Sequence, residues 1–379
     1  MSSSEEFQEI LNGDKNSSRF KAASILQGIA QALGEHDFVK ISSAQISGVS
    51  VYNLGPEGVS YLKDFAVGTK VRVKTTLNPG AFDIENPPNH IPESEVASQK
   101  EINAIYGSMG VSLTLTCSPY LSGNLPLYQE HLAWSESSAV TFANSVCGAR
   151  TNRESGMSAL CSAVCGFTVS GGLHMDENRQ PGVTIRLSDE IDDPLYYGLL
   201  GVYAGRNFPG LIPLFDIPSR AGINEMQALS ASIITWGGAS MFHIFHQTPE
   251  WNAYQIPTKQ ATLTRKDLDD LKRELSDDLG DHQKIITFTG CPHRSAGDSI
   301  GLSEGKSSGF ITAAPALSGP YSPVIMAGGC VAVSKLKPLV TGIITDSVKA
   351  AFYLRNRGYK VKLVFSSEIK NNFCPNGEY

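Results

Sequence analysis

The chain has 379 residues, 41% of them hydrophobic and 18% charged, with a net charge of −6 at neutral pH. That length exceeds what a single hydrophobic core usually fills, so two or three lobes are expected. The basic residues are scattered and form no stripe that would neutralise a phosphate backbone, which argues against nucleic acid, and the longest nearly apolar run, residues 233–245, is too short to span a bilayer.

The opening segment MSSSEEFQEILNGDKNSS lacks the basic start and apolar stretch of a secretory signal, so a cytoplasmic protein is expected. Seven cysteines, an odd number spread through a long chain, favour thiols or metal ligands over a disulfide frame. In chain order, FKAASILQGIAQALGE sets Ala22, Ile25, Leu26, Ile29 and Leu33 at helical spacing, with Gly34 placed to end the helix. DFVKIS and TKVRVKTTLNPG then alternate as strands, Val71 and Val73 against Arg72 and Lys74, before an Asn78-Pro79-Gly80 turn. Residues 82–99 carry three prolines and several acids and read as a surface excursion, followed by a helix from Ser98 to Tyr106. Farther on, TLTRKDLDDLKRELSDDLG puts Leu268, Leu271, Leu275 and Leu279 on one helix face behind a Thr264 cap. KIITFTG is a buried strand, and LVTGIITDSVKAAFYLRNRGYKVKLVF reads strand, helix, glycine stop, strand. This alternation predicts a three-layer α/β/α architecture with largely parallel sheets.

Three cysteines follow predicted strands at their carboxyl ends: Cys117 after VSLTLT, Cys291 after IITFTG and Cys330 after VIMAGG. In open α/β sheets ligands bind in the crevice beyond those ends. Three soft thiolates with no local fourth suit an iron-sulfur cluster or an iron ion that keeps one position open, a Lewis acid for dehydration. Each thiol can equally be a small buried hydrophobe at a strand end. Cys161 and Cys165, four apart on a predicted helix, and Cys147 read as packing, and Cys374 is either a frayed end or a stray ligand.

The segment 130–156, EHLAWSESSAVTFANSVCGARTNRESG, gathers His131, Glu136, Ser137, Ser138, Asn144, Arg150, Asn152, Arg153 and Glu154. Such density implies a substrate-facing surface or a tight internal network. Arg150 and Arg153 offer bidentate forks for a carboxylate or phosphate, or else brace neighbouring loops. Gly48, Val49 and Ser50 form a small-residue turn whose amides suit an anion, and Lys349 sits where a strand-to-helix crossing can aim it into the crevice. GDSIGL at Gly297 lacks the Gly-x-Ser-x-Gly elbow of a hydrolase. His243 and His246 flank an apolar helix end and read as packed side chains.

At these motifs the chain resembles the large subunit of the aconitase X family. The signatures are AQISGVS through Ser50, TLNPG at Thr76–Gly80, TCSPYLSGNLP at Thr116–Pro126, and AWSESSAVTFANSVCGARTNRE at Ala133–Glu154, then GGLHMDENR, TPEW, GCPH at Gly290–His293, and TDSVKAAFYL. They stand in family order along nearly the whole chain. The resemblance implies an aconitase-like catalytic domain over 1–379, with lobes near 1–155, 156–280 and 281–379. It implies Cys117 and Cys291 as metal ligands with Cys330 third, and a substrate site of Gly48, Val49, Ser50, Asn78, Pro79, Glu136, Ser137 and Lys349. Arg150 and Arg153 join that site from the reading of the residues. The chain departs from the family pattern before Cys330, where Gly328-Gly329 replace Asp-Thr, which leaves Cys374 as the rival third ligand.

The implied cofactor is an iron-sulfur cluster, 4Fe-4S first, with 2Fe-2S or mononuclear iron as alternatives. The implied reaction is a hydro-lyase dehydration of a small hydroxy acid. Mevalonate 5-phosphate is the first expectation and cis-3-hydroxy-L-proline the second; a non-catalytic iron-binding or degenerate homologue is the competing class. The family also requires a small swivelling domain, which nothing in this sequence resembles, so a separate small subunit is the expected partner.

Overall fold

The computed structural model describes residues 2–84, 87, 91–280, 285–293, 310–312, 324–326 and 342–373. They divide into two compact units, Met1–Gln180 and Pro181–Tyr379. This single division compares with the expected lobe boundaries near 155 and 280.

In the first unit, helix α1 (Ser3–Leu11) opens on a Ser2–Glu5 capping box, and α2 (Ser18–Leu33) is capped by Ser17 and ended by Gly34 in the left-handed region at φ +73°. Ala22, Leu26 and Ala30 face the core, where Phe7 stacks on Phe38. Strand β1 (Phe38–Lys40) pairs antiparallel with β5 (Phe167–Val169). A second sheet has the order β3-β2-β4, with β2 (Ser43–Ile46), β3 (Lys74–Leu77) and β4 (Leu132–Trp134) all parallel. It is flanked in sequence by α3 (Val51–Ala66), kinked at Gly55, α4 (Glu93–Ser108), α5 (Ser137–Phe142) and α6 (Gly156–Cys165).

Three expectations shift here. The strand read from TKVRVKTT begins only at Lys74, because Val71 and Arg72 donate their N–H groups to Met109 O and Ala163 O, at 2.9 and 2.8 Å. The helix expected from Ser98 begins at Glu93 and runs to Ser108. VSLTLTC is not a regular strand: Ser112 bridges Thr76, but Thr114 N–H turns back to Ser112 O and Leu115 enters the left-handed region at φ +46°, which breaks the ladder.

The second unit holds two parallel sheets. One has the order β8-β7-β6-β9, from β6 (Val183–Leu187), β7 (Pro213–Asp216), β8 (His243–Ile244) and β9 (Gln260–Leu263). His243 is therefore a strand residue, not part of a helix end. The other has the order β12-β11-β10-β13-β14, from β10 (Ile285–Thr289), β11 (Phe310–Thr312), β12 (Val324–Met326), β13 (Gly342–Thr345) and β14 (Lys360–Leu363). Helices α7 (Pro194–Asn207) and α8 (Ile223–Gly237) approach backbone to backbone: a Cβ on Gly205 would lie 2.5 Å from Gly237 N. Helix α9 (Arg265–Glu274) starts on a Thr264–Asp267 capping box and buries Leu268. Helix α10 (Val348–Arg355) joins β13 to β14 through Gly358 at φ +79°, and α11 (Ser366–Phe373) follows.

The fold is thus α/β with largely parallel sheets, β1–β5 being the antiparallel pair among the described residues. No helix of the described residues is long and apolar enough to cross a membrane.

Candidate functional site

All three strands of the β3-β2-β4 sheet point their carboxyl ends the same way, so the turns that follow them share one rim. After β2 come Ser47, Gly48, Val49 and Ser50. Gly48 takes φ +74°, which only glycine adopts without strain, and Ser50 caps α3 by accepting from Asn53 N. After β3 come Asn78, Pro79 and Gly80, with Asn78 N donating to Ile46 O at 2.8 Å. After β4 come Ser135 and Glu136, the N-cap of α5, then half-buried Ser137. Glu136 is only 8% exposed, and its Oε2 accepts from Ser138 Oγ at 2.6 Å and Ala139 N at 2.7 Å. The rim therefore assembles seven of the expected residues, Gly48, Val49, Ser50, Asn78, Pro79, Glu136 and Ser137, from three separate stretches of sequence.

Cys117 belongs to the same edge although it follows no regular strand. Thr116 N donates to Leu77 O, the last carbonyl of β3, which brings the chain at Cys117 to the end of β3 where the Asn78 turn begins. It is half-buried, as is Cys291, and none of the described cysteines is in a disulfide. Cys161 and Cys165 lie inside the first unit's core on α6, and Cys147 lies on the one-turn widening after α5. Burial pushes the thiols of Cys147 and Cys165 up to about 12, and that of Cys161 higher still, which makes them inert packing.

The two arginines separate. Residues 150–153 run parallel to β4 along its free edge: Arg150 bridges His131 at the amino end of the strand, and Arg153 bridges Trp134 at the carboxyl end. Arg150 is buried, bonded to Asp176 at 2.5 Å and His174 O at 3.4 Å. Close by lie fully buried Arg179 and Asn144, which bond each other, and a His131–His174 pair whose Nδ1 atoms lie 2.9 Å apart. Burial first, then the neighbouring charges, lowers His174 to about 3 and also lowers His131. The structure thus places Arg150 apart from the rim, while Arg153 is exposed at the rim end.

In the second unit, a cleft of about 440 Å³ opens at the carboxyl ends of β10 and β13. Cys291 and Lys349, expected from distant motifs, both line it, together with Asn224, Gln227, Asp346 and Ser347. Ser347 caps α10 and donates its hydroxyl to Cys291 O at 2.7 Å. Buried Asp346 accepts from Thr289 Oγ1 and Ser366 Oγ. A hydroxyl thus links the strand end carrying the thiol to the helix start carrying the ammonium.

Sequence reasoning missed Asn224, Gln227, Asp346 and Ser347 in the cleft, and Gln45 and Gln99 behind the rim. Asp346 and Ser347 did carry a signal, the Asp-Ser cap of a helix after a buried strand. Cys330, Cys374 and the GDSIGL segment from Gly297 lie outside the described residues. Among the described residues no three His, Cys, Asp or Glu side chains gather closely enough to hold a metal ion.

These features define a parallel α/β protein whose polar turns and half-buried thiols collect at strand carboxyl ends. The chain matches the family model described as aconitase X first domain over residues 1–177 and that of the second domain over 181–273. It belongs to the aconitase X family. It is 35% identical to the phosphomevalonate dehydratase large subunit of Thermococcus kodakarensis, covering 93% of this chain and 95% of that one. With the protein of the same name from Aeropyrum pernix the identity is 31% over 94% and 96%. A cis-3-hydroxy-L-proline dehydratase of Pseudomonas aeruginosa is 31% identical, covering 77% of this chain and 52% of that one. The crystal structure of Thermococcus kodakaraensis aconitase X in its holo-form superposes with a TM-score of 0.84 at 30% identity, over 98% of this chain and 100% of that one.

Proposed function

We propose that this chain is the large subunit of a phosphomevalonate dehydratase, a hydro-lyase that acts with a small subunit. The observation that carries the reading is the match, over almost the whole of both chains, to relatives of that name, whereas the cis-3-hydroxy-L-proline dehydratase matches over about half its own length. Its substrate loses the hydroxyl β to a carboxylate and a proton α to it, giving an unsaturated acid and water.

Cys117, Cys291 and Cys330 are the proposed ligands of an iron-sulfur centre. The first two fit in their chemistry: each is a half-buried, unbridged thiol at the carboxyl end of a parallel sheet, unlike Cys161 and Cys165, which are packed in the apolar core of the first unit. When bound, such a centre supplies a Lewis-acidic position for a hydroxyl oxygen. The chain's own residues do the rest of the positioning. The Gly48–Ser50 and Asn78–Pro79 turns present backbone to the substrate. Glu136, with one oxygen already held by two donors, and Ser137 orient it. Lys349, in the first turn of α10, neutralises its carboxylate or phosphate. The α proton leaves to a base carried by the swivelling small subunit.

The test is purification together with the candidate small subunit, anaerobic loading with iron and sulfide, and parallel assays on mevalonate 5-phosphate and cis-3-hydroxy-L-proline. Turnover of the first alone is expected. Turnover of the second alone, or of neither by iron-loaded complex, would overturn the proposal.

A further inference from the structure

The three turns of the first unit's rim are joined from behind by two glutamine side chains that the reaction has no chemical use for. Gln99, in the middle of α4, is fully buried, and its primary amide makes four hydrogen bonds. Oε1 accepts from Val51 N at 2.9 Å and from Ala81 N at 3.0 Å; Nε2 donates to Val49 O and to Asn103 Oδ1, each at 3.1 Å. Three of the four go to the turns after β2 and β3, and the amide is saturated, which is what makes its burial tolerable. Gly80 lets it in: a Cβ there would stand 2.7 Å from the Gln99 amide.

Gln45, fully buried at the penultimate position of β2, does the same work between the other pair of turns. Its Nε2 donates to Asn78 Oδ1 in the turn after β3, and its Oε1 accepts from Glu136 N at 2.9 Å in the turn after β4. Both braces therefore converge on the segment 78–81, one at each end. An amide serves here where an apolar side chain would not, because the turn backbone has polar groups that would otherwise be buried unpaired.

We infer that Gln45 and Gln99 are positioning residues that tie the three turns into one preformed cradle, so that substrate meets an ordered site. This deepens the proposed function, on which its kinetic consequences rest. Preorganisation of this kind acts on substrate capture, since the cost of ordering a loose turn is otherwise met from binding. It further follows that the two braces are energetically coupled through the segment they share, although the two side chains do not bond each other.

The experiment uses iron-loaded complex with Gln99→Met, Gln45→Met and the double variant, with Gly80→Ala as an independent disturbance from the turn side and Ile102→Val as a control on the same helix. Amide hydrogen exchange of the segments 47–54 and 77–83 is read without substrate. Faster exchange in both segments for Gln99→Met and Gly80→Ala, but not for Ile102→Val, is expected. KM should rise about 10-fold with kcat changed less than about 3-fold, and the double variant should lose less than the product of the single losses. Unchanged exchange in Gln99→Met and Gly80→Ala, or a KM shift no greater than that of Ile102→Val, would overturn the inference. If the wild-type complex leaves mevalonate 5-phosphate untouched while the exchange differences stand, the proposed substrate falls and the brace remains.

Discussion

The two ends of strand β4 carry equally polar surroundings and use them in opposite ways. At the carboxyl end, buried Ser135 and Glu136 tie the strand to β2 and the turn after it, and half-buried Ser137 and exposed Arg153 remain at the rim. At the amino end, Arg150 pairs with Asp176 and with His174 O, Arg179 with Asn144, and His131 with His174. One stretch of sequence, residues 130–154, contributes to both. The lesson is that polar density marks a place where burial must be compensated, and the partners decide whether that place is a site or a buttress.

The largest separation between rim and core lies in the thiols. On the proposed ligand assignment, Cys117→Ala and Cys291→Ala should each lower turnover by about a thousand-fold or more, since losing such a ligand would forfeit several kcal/mol of charge stabilisation in the transition state. Iron content should fall with it. Cys161→Ala, in the core of the first unit, should keep its iron and its turnover and lose about 1 kcal/mol of stability. Iron titration and steady-state rates on the three variants check this, and full turnover by Cys117→Ala would erase the distinction.

The buttress should fail thermodynamically where the rim fails kinetically. Arg179 is fully buried and donates to Asn144 Oδ1, Asn144 O and Leu173 O, at 3.3, 3.0 and 2.9 Å. Arg179→Met strips charged donors from carbonyls that stay buried, a loss of about 3 kcal/mol. Denaturant midpoints should move accordingly while KM stays within about 2-fold of wild type.

The same network predicts a pH dependence. Burial, with His131, Arg179 and Arg150 close by, holds His174 neutral down to about 3, and among the described residues its Nε2 has no hydrogen-bond partner to accept a second proton's bond. In the unfolded chain the same imidazole titrates near 6.5. Between those values the unfolded state binds a proton that the folded state refuses. Stability is therefore fully present above pH 6.5 and falls as pH drops through the window toward 3, by up to about 1.4 kcal/mol per pH unit. His131, lowered by burial and by Arg150 and Arg179, adds in the same direction. Urea midpoints at pH 7, 6 and 5 should slope less steeply in His174→Gln than in wild type.

Much of the rim was legible because turn chemistry is local. Gly48 and the Asn-Pro-Gly sequence announce a chain reversal by themselves, whereas Glu136 and Ser137 stood out only by polar density and by the family resemblance. The helix behind Gly34 and the strand, helix, strand run around α10 were legible by periodicity. Gln45 and Gln99 were not, since a glutamine between apolar neighbours looks like any outward polar residue until the fold shows where its amide ends. The irregular path before Cys117 was hidden for a related reason. VSLTLT alternates as a strand should, yet Leu115 at φ +46° obeys tertiary contacts and not its own propensity.

The smallest predicted effect is also the sharpest test of the two-ended comparison, because it uses two residues of the same type three positions apart. Arg150 and Arg153 offer the same guanidinium fork and looked interchangeable as carboxylate or phosphate ligands. The bridges along β4 set Arg150 at the buttress and Arg153 at the rim. Arg153 is exposed and pairs with no acid within the described ion pairs, so Arg153→Gln should leave the melting temperature unchanged, as surface substitutions within about 0.5 kcal/mol do. Its effect should be a KM raised about 3-fold for a doubly anionic substrate and relieved by added salt, since an exposed charge acts through a screened field. Arg150→Gln should do the reverse, releasing Asp176 and the His131 edge, lowering the melting temperature and leaving the salt response of KM as in wild type. If Arg150→Gln alone raises KM with salt-sensitive character, the network at the amino end is open to substrate and the distinction between the two ends of β4 does not hold.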